Sequence, residues 1–285
     1  MSALAVHPFS RPLAQELARP QTSGVSLFWL GQAGFAIRMP AGLTLIDPYL
    51  SDSLAEKYRG KAFSHERMMP PPVTVDELGR VDVVLVTHHH TDHMDPETLA
   101  PIARSNPGCR FVVPRASIDE AERRIAVGAD RLIAIDAGES VAPLPGCTVT
   151  ATRAAHETLE RSAAGHHRFL GYVVDAGGAR LYHSGDTVPF EGQVSEVAAL
   201  GPELALLPVN GRRKELSDAG IAGNLTLTEA CDLSAQIGAS DLIAHHYGMF
   251  AFNTLEPEAI DAAAADGGCA LHIHRARTSV EYRVT

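Results

Sequence analysis

Short apolar runs of strand length alternate with amphipathic stretches along almost the whole chain. Runs at 26–30, 35–39 and 43–46, the first two joined by Gly31-Gln32-Ala33-Gly34, predict three strands near the start. Before them, Leu13 and Leu17 lie four apart and predict a short helix over 10–18. The β-branched run Val81-Asp82-Val83-Val84-Leu85-Val86 predicts a buried strand that ends at Thr87. Asp95-Pro96-Glu97 then puts Asp at an N-cap and Pro at the first helical position, so a helix is expected over 95–104. Strand 110–113, helix 117–127 and strand 131–135 continue an alternation that calls for parallel strands with crossover helices. A turn at Gly138-Glu139 leads into an apolar run at 147–155, and the alternation restarts. Strands 170–174 and 180–183, helix 192–199, strand 203–209, helix 226–237, strand 241–244, helix 257–265 and strands 269–274 and 279–284 complete it. The chain thus reads as two similar halves, each a mixed sheet with helices outside. Residues 49–79 break the pattern, with little periodicity and the run Met69-Pro70-Pro71-Pro72. A stretch this long without clear elements is expected to be an insertion or lid near a site; a proline-stiffened surface loop is the plain alternative.

Composition narrows the setting. With 285 residues, 45% of them hydrophobic, one large core is affordable, and the expectation is a single domain over 1–285. A formal net charge of −10 excludes a uniformly basic surface, so no nucleic-acid partner is expected. Cys109, Cys147, Cys231 and Cys269 form no Cys-x-x-Cys pair and read as core thiols of a reducing cytoplasm. The first twenty residues lack a charged head followed by an apolar run. No apolar run approaches the roughly 20 residues that span a bilayer, so a soluble, cytoplasmic protein without a membrane partner is expected.

The chemistry gathers where the 81–86 strand ends. His88-His89-His90-Thr91-Asp92-His93 reads as His-x-His-x-Asp-His on a strand-to-helix loop, the place where sheet-and-helix proteins collect ligands. In an extended segment His88 and His90 project to one side and can grip one ion, while Asp92 and His93 can face a second. A surface histidine run that binds nothing is the plain alternative; the Asp-His pair at this offset weighs against it. Three later strands stop in the same way, at His156, at Ser184-Gly185-Asp186-Thr187 and at His245-His246-Tyr247-Gly248. Asp47, before Pro48, is another carboxylate at a strand end, and a turn residue is its plain reading. Asn210-Gly211-Arg212-Arg213-Lys214 sets three adjacent cations after strand 203–209, able to hold a phosphate or carboxylate or simply to form a solvated turn.

These words together resemble the metallo-β-lactamase fold hydrolases. "WLGQAGF", "LIDPYL", "YHSGDT" and "AGIAGNLTLTEA" look like the ascorbate-phosphate lactonase branch of that family. The resemblance implies an α/β fold of four layers, an αββα sandwich of two mixed β-sheets flanked by helices. It implies two divalent metal ions, Zn2+ with Mn2+ as the alternative. His88, His90 and His156 would hold one, and Asp92, His93 and His246 the other. Asp186 would bridge them, and Asp92 could also relay a proton. His246 is preferred to His245 by aligning Phe250 with the family word. Asp47 would support a ligand histidine from behind, and His183 would be a buried partner. Asn210, Arg212, Arg213 and Asn224 would shape the substrate pocket, although Asn224 could instead cap the helix near Thr226. His89, His166 and His167 are expected to be exposed or structural, and the same holds for His272 and His274. The implied activity is hydrolysis by a metal-bridging hydroxide, on a lactone or other ester of a small anionic, sugar-acid phosphate-like substrate. Phosphodiester or phospholipase D-like hydrolysis at the same site is the alternative, and a non-catalytic binding module the weaker one. Relatives form oligomers, so a homo-oligomer is compatible.

Overall fold

The computed structural model describes residues 4–266 and 271–284. Two sheets form, as the resemblance implies. The first is built from β1 (Leu4–Pro8), β2 (Val25–Gly31), β3 (Gly34–Met39), β4 (Gly42–Ile46), β5 (Val83–Leu85), β6 (Arg110–Pro114), β7 (Leu132–Ile135) and β15 (Val280–Val284). Its order among the described residues is β1-β15-β2-β3-β4-β5-β6-β7. The second holds β8 (Ser140–Leu144), β9 (Cys147–Arg153), β10 (Leu170–Ala176), β11 (Ala179–His183), β12 (Leu204–Pro208), β13 (Asp241–His245) and β14 (His272–Arg275), in the order β14-β13-β12-β11-β10-β9-β8. Each sheet is antiparallel on one side and parallel on the other: β2-β3-β4 pair antiparallel and β4-β5-β6-β7 parallel, while β8-β9-β10-β11 pair antiparallel and β11-β12-β13-β14 parallel. The halves are therefore similar, except that β15 returns to the first sheet and sits between β1 and β2.

Strand β2 shows why the apolar runs are continuous rather than alternating. Leu27 and Trp29 belong to the core shared with Tyr172, Val174, Leu206 and Ile243 of the second sheet. Phe28 and Leu30 point the other way, into a cluster with Leu13 and Leu17 of α1 (Leu13–Leu17) and Leu99 and Ile102 of α3 (Pro96–Ser105). A strand covered on both faces needs apolar side chains at every position. On the far side, α5 (Gln193–Ala198), α7 (Leu227–Gln236) and α8 (Pro257–Ala265) contribute Val197, Leu233 and Ile260 to the core around the second sheet. Helices thus flank two mixed sheets, the four-layer arrangement.

Several local expectations change. The helix expected over 117–127 is a short α4 (Ile118–Ala121) that widens into a π-turn, Glu122–Ala126. The wider turn accompanies Arg124, whose guanidinium reaches the carbonyls of His89 at 2.8 Å and Met94 at 3.0 Å. Strands β1 and β8 were not anticipated, because both are half-exposed edge strands with weak apolar patterns. Residues 269 and 270 of the expected 269–274 strand, Cys269 among them, lie outside the described residues. The 49–79 stretch carries α2 (Ser53–Lys57) and a single 3-10 turn, Val75–Glu77. It is pinned to the body: Arg67 donates to the carbonyls of Tyr49 and Ser51, and Met68 N–H donates to Met249 O at 2.9 Å.

One buried ion pair ties the returning strand β15 into the first sheet. Glu281 accepts from Ser26 Oγ on β2 at 2.6 Å and from Arg38 on β3 at 3.2 Å, with both charged side chains largely buried. Breaking such a pair leaves an uncompensated buried charge, which costs about 3–5 kcal/mol. Glu281→Ala is therefore expected to lower the unfolding free energy by about that amount in urea titrations monitored by Trp29 fluorescence, and an unchanged midpoint would contradict the assignment.

Candidate metal centre

The strand ends converge on one point. His88, His90, Asp92 and His93 follow β5, His156 follows β9, Asp186 follows β11 and His246 follows β13. Their donor atoms fall into three overlapping groups, each within 4.8 Å: His88, His90 and His156; His88, His93 and Asp186; and Asp92, His93 and His246. All seven side chains proposed from the sequence are brought together. Asp186 lies at the middle. Its Oδ2 is 3.3 Å from His246 Nε2, 3.5 Å from His93 Nε2 and 3.9 Å from His156 Nε2.

The backbone aims each group. Gly185 precedes Asp186 with φ +61°, and a Cβ there would collide with the Leu170 carbonyl and the Thr87 side chain. At the end of β13 the chain turns sharply, and His246 takes φ +63°, a conformation costing of order 1–3 kcal/mol for a non-glycine residue. This separates two adjacent histidines. His245 goes into the core, stacked on His183 at 5.1 Å and edge-on to Phe35 at 5.2 Å, while His246 joins the cluster. Burial pushes the His245 imidazole well below its ordinary pKa, as suits a neutral core ring.

A second layer of hydrogen bonds holds the cluster. Asp47, fully buried at the end of β4, accepts from His93 Nδ1–H at 2.7 Å, from Thr87 Oγ1–H at 2.6 Å and from Thr87 N–H at 2.8 Å. That bond fixes the His93 ring with Nε2 turned toward Asp186. His183 is held at both nitrogens: Nε2–H donates to Ala33 O at 2.9 Å, and Nδ1 accepts from Gly185 N–H at 3.1 Å. It thereby anchors the Asp186 turn to the β2–β3 connection. Sequence reasoning passed over Gln32 in that connection. Its side chain donates to Asp92 Oδ2 at 3.0 Å, and its carbonyl accepts from His246 N–H and Trp29 Nε1–H, each at 3.0 Å. Gln32 also has φ +50°. A polar residue between Gly31 and Ala33-Gly34 in a tight hairpin was the available signal.

Electrostatics favour a cation at the centre. Burial, reinforced by neighbouring histidines, holds His88 well below its ordinary pKa, and it brings His90 to about 3. Burial also lowers His156. These rings are neutral and able to donate a lone pair. His93 is different: burial pulls it down, but Asp186, Asp47 and Asp92 outweigh burial and hold it well above. Desolvation would raise Asp92 and Asp186, yet His93 and His246 outweigh it and keep both carboxyls below the usual range. His88 Nε2, His93 Nε2, His246 Nε2 and Asp186 Oδ1 are buried without a hydrogen bond. Buried polar atoms are almost always satisfied, so a set of orphans within one cluster fits bound cations.

The other candidates are placed elsewhere. Arg212 forms two 2.6 Å bonds to Glu229, Arg213 donates to the Phe252 carbonyl, and Lys214 pairs with Asp218 at 2.8 Å. Neither Arg212 nor Arg213 lines the cavity over the cluster. Asn224 donates to Asn210 at 3.1 Å, and Asn210 donates to Asn253 at 3.0 Å, which does line it. Thr226, not Asn224, caps α7. His166 and His167 both bond Asp136, and His274 bonds Asp241 at 2.9 Å with His272 at 3.6 Å from the same oxygen. Among the described residues, no helix is long and apolar enough to cross a membrane.

Comparison with known proteins gives a consistent setting. A "UPF0173 metal-dependent hydrolase" of Rubrobacter xylanophilus is 29% identical over 265 residues, 90% of this chain and 96% of that protein. An "N-acyl-phosphatidylethanolamine-hydrolyzing phospholipase D 1" of Caenorhabditis elegans is 25% identical over 244 residues, 82% of this chain and 67% of the relative. The crystal structure of a "possible metal-dependent hydrolase" of Veillonella parvula superposes with a TM-score of 0.71 at 18% identity, covering 91% of this chain and 99% of that one, a likeness of fold. The family profile described as "Beta-lactamase superfamily domain" matches residues 44–247, which runs from β4 past His246 and takes in all seven clustered side chains. With more than half of its length matched, the chain belongs to the beta-lactamase superfamily domain family.

Proposed function

We propose that the chain is a hydrolase that works with two divalent metal ions, Zn2+ with Mn2+ as the alternative, on a lactone or other ester. The observation that carries this reading is the convergence of five imidazoles and two carboxylates on one buried point with several donor atoms unsatisfied. His88, His90 and His156 would hold one ion and Asp92, His93 and His246 the other, with Asp186 shared. Nitrogen and oxygen donors of this kind suit zinc or manganese. Such an ion pair, when bound, supplies a hydroxide at neutral pH by lowering the pKa of water to roughly 7, and an electrophile for the developing oxyanion. The chain's own residues then have defined tasks. Asp92 lines the cavity, is held by Gln32 and stays ionised, so it can take and pass on a proton. Asp47 and His183 act behind the centre, keeping His93 and Asp186 in place. No serine or cysteine nucleophile is required.

The cations proposed to hold a phosphate, Arg212, Arg213 and Lys214, are engaged elsewhere and do not line the cavity. The alternative, phosphodiester hydrolysis of the phospholipase D kind, is favoured by the named activity of the Caenorhabditis elegans relative. Turnover of a set of lactones and aryl esters against bis-aryl phosphates separates the two. Lactone or ester turnover well above phosphodiester turnover is expected, and the reverse would hand the assignment to the alternative.

For the centre itself, purified His90→Ala and Asp186→Ala proteins are expected to lose bound metal by elemental analysis and to lose hydrolysis. Retention of two ions per chain with full activity in both would overturn the ligand assignment. Gln32→Ala is expected to weaken metal binding about 10–100-fold in chelator competition, the usual effect of removing a partner of a ligand, with the far-ultraviolet dichroism unchanged. Native affinity in that variant would show that Asp92 and His246 need no such support.

A further inference from the structure

The cavity above the cluster has a volume of about 250 Å³, at the small end for a small-molecule site. Its walls differ in chemistry. The floor is the polar centre, but one side is aromatic, supplied by two segments far apart in sequence. Tyr58, just after α2, stacks on His65 at 4.2 Å. His65 in turn meets Phe250 at 5.0 Å and Phe252 at 4.8 Å, edge-on. Phe250 is buried, Tyr58, His65 and Phe252 are half-buried, and all four line the cavity. His65 Nδ1–H is satisfied by the Phe63 carbonyl at 3.0 Å, and burial lowers the ring below its ordinary pKa, so it presents a neutral aromatic face. Leu54 and, from another loop, Ile221 add aliphatic surface.

The cations nearby do not offset this character. Arg124 is spent on Glu120 and two backbone carbonyls. Lys57 sits at the exposed rim, bonded to Thr91 Oγ1 at 3.3 Å and over the Tyr58 ring at 5.3 Å. A second depression shares His89, His90 and His156 with the first and continues past them to Glu157, Glu160 and Arg168, a polar and ionic surface. A molecule lying across the centre therefore meets an aromatic wall on one side and a polar one on the other.

From these walls we infer that Tyr58, His65 and Phe252 form a specificity subsite for a compact aryl group on the acyl side of the substrate, so that the ester or lactone hydrolysed is an aromatic one rather than a sugar-acid phosphate. This rests on the metal-hydrolase reading, since the centre is what places the acyl carbon beside the wall. A flat ring stacked or edge-on against these side chains gains both apolar burial and ring–ring attraction.

Product-like acids test it without turnover. Acetate, phenylacetate and 6-phosphogluconate are titrated calorimetrically into Zn2+-loaded protein of known metal content. Phenylacetate is expected to bind about tenfold more tightly than acetate, the ratio that roughly 1.4 kcal/mol of ring contact gives. Phe252→Ala and, as a variant on a different element, Tyr58→Ala are each expected to shrink that ratio to within about twofold, as removal of the ring contact predicts. Equal affinity for the two acids, a ratio that survives both substitutions, or 6-phosphogluconate outbinding phenylacetate overturns the subsite. Phenylacetate binding that depends on Phe252 in a protein that takes up no metal supports the subsite and overturns the metal reading instead.

Discussion

The arrangement depends first on the buried carboxylate of Asp47. It sits at the end of β4 with φ +43° and gathers three hydrogen bonds from Thr87 and His93 while its own N–H donates to Leu85 O at 3.0 Å. An anion with no solvent exposure is tolerated only when fully hydrogen-bonded. Here the bonds close a short circuit between β4, the end of β5 and the loop beyond it. The same circuit sets the His93 tautomer, and so the direction of the nitrogen that faces Asp186 across from the second sheet. His183 does the reciprocal job, tying the Asp186 turn to the Ala33 carbonyl of the first sheet. The two sheets are thus registered against each other by polar contacts at the site, while the apolar core between them supplies the bulk of the cohesion.

Much of this was legible because strand ends punctuate the sequence. Apolar runs that stop at His or Asp are visible by eye, and the fold brings the ends of β5, β9, β11 and β13 to one rim. The Asp95-Pro96 helix start is where the sequence put it, with Asp95 accepting from Glu97 N–H. What could not be read depends on torsions and on partners distant in sequence. His245 and His246 are chemically identical, and only the left-handed turn at His246 separates the core ring from the site ring. Arg212 looked available to a ligand because Glu229, its partner, lies on α7 seventeen residues later. Gln32 looked like an ordinary hairpin residue, since Asp92, which it holds, is 60 residues away. The helix expected over 117–127 is present over 118–126 but widens to a π-turn at Glu122, where Arg124 bonds the His89 and Met94 carbonyls, tertiary contacts that local propensity does not contain.

The 49–79 stretch illustrates how weak periodicity and defined structure coexist. Its polar residues do not face solvent indiscriminately. Arg67, with its side chain almost wholly buried, is spent on the Tyr49, Ser51 and Met69 carbonyls and lies 5.0 Å over the Tyr49 ring. A cation used this way substitutes for the ladder hydrogen bonds that a strand or helix would provide, so a segment with little regular structure can still present Tyr58 and His65 at fixed positions.

The charge balance of the centre links its stability to its chemistry. Asp47, Asp92 and Asp186 stand within a largely buried region whose nearest protein cations are histidines, three of which burial keeps neutral. Only His93 is pushed toward the charged form, and it stands among all three carboxylates. The repulsion between the carboxylates is offset by His93 and His246. Divalent ions bound by these residues would stabilise the folded over the unfolded chain in proportion to the logarithm of their free concentration above Kd. The same negative charge makes the site a receptor for cations at the floor of a small cavity with an aromatic wall. An ester carbonyl entering that cavity would find its oxygen drawn to the floor and its apolar substituent drawn to the aromatic side, an orientation set by two unrelated forces.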